Sequence, residues 1–127
     1  LGHLEAWNGV RNGIAEQYLD ALQPGPLSLP AVAKSTRPAW HLFVVRHRRR
    51  YELAEHLARE GIATQIHYPI ANHRQKAYSS DFLSNAFPVA QSYAEEVLSL
   101  PIGPHMRQEH ISHVISSVQG WMNAVSN

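Results

Sequence analysis

"AWHLFVVRHRRRYELAEHLAREGIATQIHYP", residues 39–69, is the stretch that decides the fold. Its first eight residues are aromatic, β-branched or aliphatic almost without interruption, which predicts a strand covered on both faces. Tyr51, Leu53, Ala54, Leu57 and Ala58 then recur at helical spacing. Gly61 follows them, where a left-handed residue closes a helix. From there the period falls to two, with Ile62, Thr64 and Ile66 on one face and Ala63, Gln65 and His67 on the other. His67 leaves the sheet at the end of this second strand, and Pro69 stops further pairing.

Towards the N-terminus, Leu4, Trp7, Ile14, Tyr18 and Leu22 share one face of a long helix, which Gly13 weakens by ~1 kcal/mol relative to Ala. "QPGP", residues 23–26, ends it. "LSLPAVA", residues 27–33, reads as a short edge strand, since Pro30 is poorly tolerated in a central one. Towards the C-terminus, residues 70–86 form a long irregular segment of the kind that is functional or mobile. Pro88 suits the first turn of a helix whose buried stripe is Val89, Ala90, Tyr93, Ala94 and Val97. "LSLPIGP", residues 98–104, is a short strand ending in two prolines. Ile111, Val114, Ile115, Val118 and Met122 mark a final helix.

The order is helix, strand, strand, helix, strand, helix, strand, helix. The fold class is therefore α/β (α+β): a two-layer sandwich of a short-stranded sheet packed by helices. The first helix exceeds what that layer needs and is expected to project towards another domain. The chain also starts at Leu1 directly in a helical pattern, as a piece of something larger would.

At 127 residues, 44% hydrophobic and 17% charged, the chain can bury a real core as one domain. It has no cysteine, so disulfides and thiol chemistry are excluded and the cytoplasm is the expected compartment. No apolar run reaches the ~18 residues of a membrane span. Net charge is +1, yet no acid lies between Asp20 and Glu52, while Lys34, Arg37, Arg46, Arg48, Arg49 and Arg50 do. Such a block reads as a solvated helix start, or as a surface for an acidic partner. The aromatic or polar base readers of a nucleic-acid surface are absent from "RHRRR", so nucleic acid is not expected.

His105, His110 and His113 lie close in sequence, but only Glu109 accompanies them. A solvated helix face accounts for them better than a metal. No Gly-x-Ser-x-Gly elbow and no Gly-rich phosphate loop is present. Lys34 and Lys76 lack the apolar surroundings that lower an amine's pKa. No complete active site is legible. His67 and Tyr68, emerging from a strand end, are either ligand contacts or a satisfied structural pair.

"HLFVVR", "GIATQIHYPI" and the spaced "H.QKAY", followed by "FPVAQSYAEEVLSLPIGPHM", resemble the C-terminal small domain of the DegT/DnrJ/EryC1/StrS aminotransferases, a part of the fold type I architecture. "LEAWNGVRNGIAEQYLDAL" resembles the helix that links the large domain to it. The resemblance implies residues 1–24 as that linking helix and residues 25–127 as the small domain. It implies a pyridoxal-phosphate enzyme, usually dimeric, that aminates a keto sugar, typically nucleotide-linked, in amino-sugar, lipopolysaccharide or antibiotic biosynthesis. The Schiff-base lysine, the acid on the pyridine nitrogen and most phosphate contacts belong to a larger N-terminal domain. Neither Lys34 nor Lys76 matches that lysine, so the cofactor is not expected on this chain, which alone should be inactive.

Carried over by position, His67 and Tyr68 match the "HYP" motif lining the sugar side of the cleft, and His73 a histidine that follows a proline-containing loop. Here that loop reads "PIANHRQ": Ala71 stands for a proline and Arg74 for a leucine, a less rigid and more basic version. Arg107 stands where a Ser or Thr often caps the last helix. The alternative expectation, from a different class, is a non-catalytic binding module using the basic 34–50 region.

Overall fold

The structure, a computed structural model, describes residues 1–78 and 86–126. The described residues include four α-helices: α1 (Leu4–Ala21), α2 (Arg50–Arg59), α3 (Pro88–Glu96) and α4 (Gln108–Ser126). Two strands, β1 (Phe43–Arg46) and β2 (Val97–Leu100), pair antiparallel with Phe43 opposite Leu100 and Val45 opposite Leu98. A single bridge on each side, Ser28 to Arg46 and Gln65 to Ser99, extends the sheet by two further segments. The two-layer α/β arrangement expected from the sequence is the one observed.

The two outer strands are shorter than predicted, for a reason visible in the sequence. Pro30 has no N–H to continue the ladder beyond Ser28. Beside Gln65, β2 itself is only four residues long, because α3 runs directly into it and Pro101 follows it. Strand β1 begins at Phe43 rather than Ala39, since Trp40 takes a φ of 45° that no extended segment accommodates. The Trp40 ring packs 5.4 Å from that of Phe43, which holds the unusual backbone in place.

Burial also departs from the prediction. In β1 it alternates, with Phe43 and Val45 buried and Val44 and Arg46 half-buried; it is β2 whose four residues are all buried. Residues paired across an antiparallel ladder share a face. Phe43, Val45, Leu98 and Leu100 thus make one apolar face, which joins Tyr18, Leu22, Leu53, Leu57, Val114 and Val118 in the core. Val44, Arg46, Val97 and Ser99 make the other face.

The predicted α1 stripe divides in two. Ile14, Tyr18 and Leu22 are fully buried, whereas Leu4 and Trp7 are 44% and 49% exposed. Gly61, at φ 76°, closes α2 as expected. Its N–H bonds the Ala58 carbonyl and that of Ile62 the Leu57 carbonyl, with Leu57 and Ile62 both in the core. Two histidines tie α2 to α4: His56 Nε2 donates to the Ser117 carbonyl at 3.0 Å and His113 Nε2 to the Glu60 carbonyl at 2.9 Å. A carbonyl only accepts, so both rings carry a proton on Nε2. At the start of α4, the Arg107 N–H reaches His110 Nδ1 at 3.4 Å, a partial substitute for the missing Ser or Thr cap.

Candidate functional site

The sheet face turned away from α1, α2 and α4 carries the polar chemistry. Gln65 pairs with Ser99, which puts His67, two residues on, on the same side. There His67 Nδ1 lies 2.9 Å from Ser99 Oγ, and Ser99 is itself buried. The hydroxyl therefore fixes the imidazole's orientation and leaves Nε2 as its outward polar atom. Tyr68 stands edge-on to the His67 ring, 5.8 Å between centroids, and is 74% exposed.

Beyond Pro69 the chain forms two short 3₁₀ turns, Asn72–Arg74 and Lys76–Tyr78. These replace the first part of the segment expected to be irregular; residues 79–85 of it lie outside the described residues. In the first of these turns His73 is buried, 8% exposed, with its ring 5.1 Å from that of Phe87. Its Nε2 is buried and has no hydrogen-bond partner among the described residues, an arrangement that costs stability unless something supplies one.

His67, Tyr68 and His73 line one open groove of ≈ 1280 Å³. Its far wall is α3. The stripe Val89, Ala90, Tyr93, Ala94 and Val97 was expected to be buried, but only Ala94 and Val97 are. Val89 is 70% and Tyr93 47% exposed, and all five line the groove. The periodicity identified a real apolar face, of which Val89, Ala90 and Tyr93 stay exposed among the described residues. Tyr78 and Phe87 complete an aromatic rim.

Sequence reasoning missed the clamp that holds α3. The basic run at 46–50 is largely consumed inside the chain. The Arg50 guanidinium, 3% exposed, donates to the carbonyls of Ala94 and, at 3.3 Å, Val97, and to the Tyr51 hydroxyl at 2.9 Å. The His47 N–H takes the Glu96 carbonyl at 3.1 Å. Together they satisfy carbonyls that the end of α3 would leave orphaned. Arg46 pairs with Glu96 at 2.8 Å and lies over the Tyr93 ring, 3.8 Å from its centroid. The hydrogen bond from Arg46 holds the Glu96 carboxyl below its ordinary pKa. Arg49 pairs with Glu52 on the surface. The signal that could have revealed the site face was Ser99, a lone hydroxyl among the leucines of β2.

No group of three or more His, Cys, Asp or Glu suited to a metal occurs among the described residues, and no helix among them is long and apolar enough to cross a membrane. Lys34 and Lys76 are both exposed on irregular or 3₁₀ segments. Neither offers a desolvated amine, so the described residues do not fit covalent attachment of an aldehyde cofactor.

The chain is 44% identical over 127 residues to a Streptomyces venezuelae dTDP-3-amino-3,4,6-trideoxy-alpha-D-glucose transaminase, covering 98% of this chain and 34% of that protein. It is 40% identical over 118 residues to an Aneurinibacillus thermoaerophilus dTDP-3-amino-3,6-dideoxy-alpha-D-galactopyranose transaminase, covering 93% and 32%. The crystal structure of S. venezuelae DesV superposes with a TM-score of 0.92 at 45% identity, over 96% of this chain and 33% of that one. Bacillus subtilis ntda, solved with bound cofactor PMP, gives a TM-score of 0.84 over 95% and 29%; at 24% identity that likeness carries the fold alone. The chain thus spans about a third of the proteins it matches. The family model matches residues 1–119, and the chain belongs to the DegT/DnrJ/EryC1/StrS aminotransferase family.

Proposed function

We propose that this chain is the C-terminal small domain of a pyridoxal-phosphate-dependent aminotransferase acting on a nucleotide-linked keto sugar, as in amino-sugar, lipopolysaccharide or antibiotic biosynthesis. Residues 25–127 form the domain, and residues 1–24 lead into it from a larger one. The observation that carries the reading is the convergence of His67, Tyr68 and His73 on one groove, with His67 held by Ser99 and His73 Nε2 buried without a partner among the described residues. A neutral imidazole and a phenol suit sugar hydroxyls and phosphate oxygens. The exposed Leu4 and Trp7 support contact of α1 with the rest of the protein or with a second copy in a homodimer.

When bound elsewhere in the whole protein, pyridoxal phosphate supplies the electron sink for the proton transfers of transamination. The part of this chain is to bind and orient the sugar and to keep water from that side. Alone it is inactive and forms no adduct with the cofactor. On this reading the enzyme is cytoplasmic.

The test is half-reaction kinetics in the full-length protein. Tyr68→Phe and His67→Ala should each lower kcat/KM for the sugar nucleotide, by ~0.5–1.5 kcal/mol for one neutral hydrogen bond and more for one to phosphate. Cofactor absorbance and the half-reaction with the amino donor should stay intact. Loss of both half-reactions in a folded variant would replace the specificity role with a catalytic one.

A further inference from the structure

We propose that Tyr93 is the stacking platform for the base of a pyrimidine nucleoside diphosphate sugar, with Arg46 and Glu96 built in behind it. This deepens the sugar-nucleotide reading and rests on it. Arg46 covers one face of the Tyr93 ring at 3.8 Å. Tyr93 lines the groove and is 47% exposed, so part of its ring is free to meet a ligand there. The guanidinium is held in turn by Glu96 at 2.8 Å, and Glu96 by the Ser92 hydroxyl at 3.0 Å. A half-exposed tyrosine is thereby kept in one orientation before any ligand arrives, which lowers the cost of ordering it on binding.

The composition of the groove selects the part of the ligand. Among the described residues no Lys, Arg, Asp or Glu lines it, so this wall offers a diphosphate no charged side chain. It offers instead Tyr93, Tyr78 and Phe87 as flat apolar surfaces, with the side-chain amides of Asn72 and Gln75 beside them. Aromatic faces stack a base, and amides can both donate to and accept from the edge of a pyrimidine. The sugar end would lie towards His67 and Tyr68, and the charged diphosphate would be met by groups outside this wall.

The experiment measures binding of dTDP and of inorganic pyrophosphate to the full-length protein by calorimetry. Base stacking on an aromatic side chain is worth ≈ 1–3 kcal/mol, so Tyr93→Ala should weaken dTDP by roughly 5- to 150-fold. Tyr93→Phe should bind dTDP close to wild type. Arg46→Met should weaken it by an intermediate factor, and pyrophosphate should bind all variants equally. Wild-type dTDP affinity in Tyr93→Ala would overturn the proposal, as would equal losses for dTDP and pyrophosphate. If Tyr93→Ala is silent while His67→Ala still impairs the sugar half-reaction, the platform falls and the sugar-nucleotide reading stands. If the unsubstituted protein binds no dTDP, both fall.

Discussion

The Tyr18 hydroxyl donates a 2.8 Å hydrogen bond to the carbonyl of Pro101, joining the last turn of α1 to the residue that follows β2. Tyr18 is fully buried, which pushes its phenol far above the ordinary tyrosine range. Its ring also meets Phe43 edge-on at 5.1 Å. Tyr18→Phe keeps the ring contact and leaves the carbonyl without its donor. The expected loss is ~0.5–1.5 kcal/mol in urea unfolding, with the denaturant slope unchanged.

Arg50→Met should cost more. It removes a charged donor from the carbonyls of two buried residues, and such bonds are worth ≈ 1.5–3 kcal/mol. Arg50→Lys should recover only part of this, because an ammonium cannot reproduce the planar fork that spans Ala94, Val97 and Tyr51. Denaturation of the three proteins side by side measures the difference.

Stability should fall in two steps on acidification. His47 Nδ1 accepts the Arg49 N–H at 3.0 Å, and burial, followed by the charge of Arg49, lowers the pKa of the ring. The folded state thus binds fewer protons than the unfolded one, so this contribution is present above the ordinary value of 6.5 and lost as pH falls through the folded value. Glu96 adds a second, lower window. Its contribution is complete above 4.5 and lost as pH falls through its depressed value. Melting temperatures across pH should show both, and His47→Asn, which keeps an acceptor without a titrating group, should flatten the first alone.

Much of this was legible in the sequence, where local rules and tertiary packing agree. Gly61, Pro88 and the period-two run from Ile62 to His67 gave the element ends and the inward face, because each rests on backbone stereochemistry. Strand lengths were overestimated because hydrophobicity does not report pairing: residues 27–33 and 62–68 are extended in composition but find one bridge each. The α3 stripe was recognised and assigned to the wrong surroundings, since periodicity shows that a face is apolar and not what covers it. The Arg50 clamp was illegible, because it joins residues 44 and 47 positions apart.

Ala71→Pro should stabilise the groove's near wall. Ala71 sits at φ −61° and ψ 143°, angles that proline adopts without strain. No backbone hydrogen bond from its N–H is found among the described residues, and its carbonyl still accepts from Arg74. Restricting the unfolded chain should then add about 0.4–1 kcal/mol. A lowered melting temperature would show that the ring clashes with the packing of this buried position.

The four residues of β2 divide their labour by parity. Leu98 and Leu100 turn towards the core, and truncating either to Ala should cost about 2–5 kcal/mol. Val97 and Ser99 turn the other way, to the groove wall and to the His67 ring. Such a strand lets evolution or a protein engineer explore new ligands at alternate letters of a single tetrapeptide while the scaffold's solubility and expression are held by the letters between.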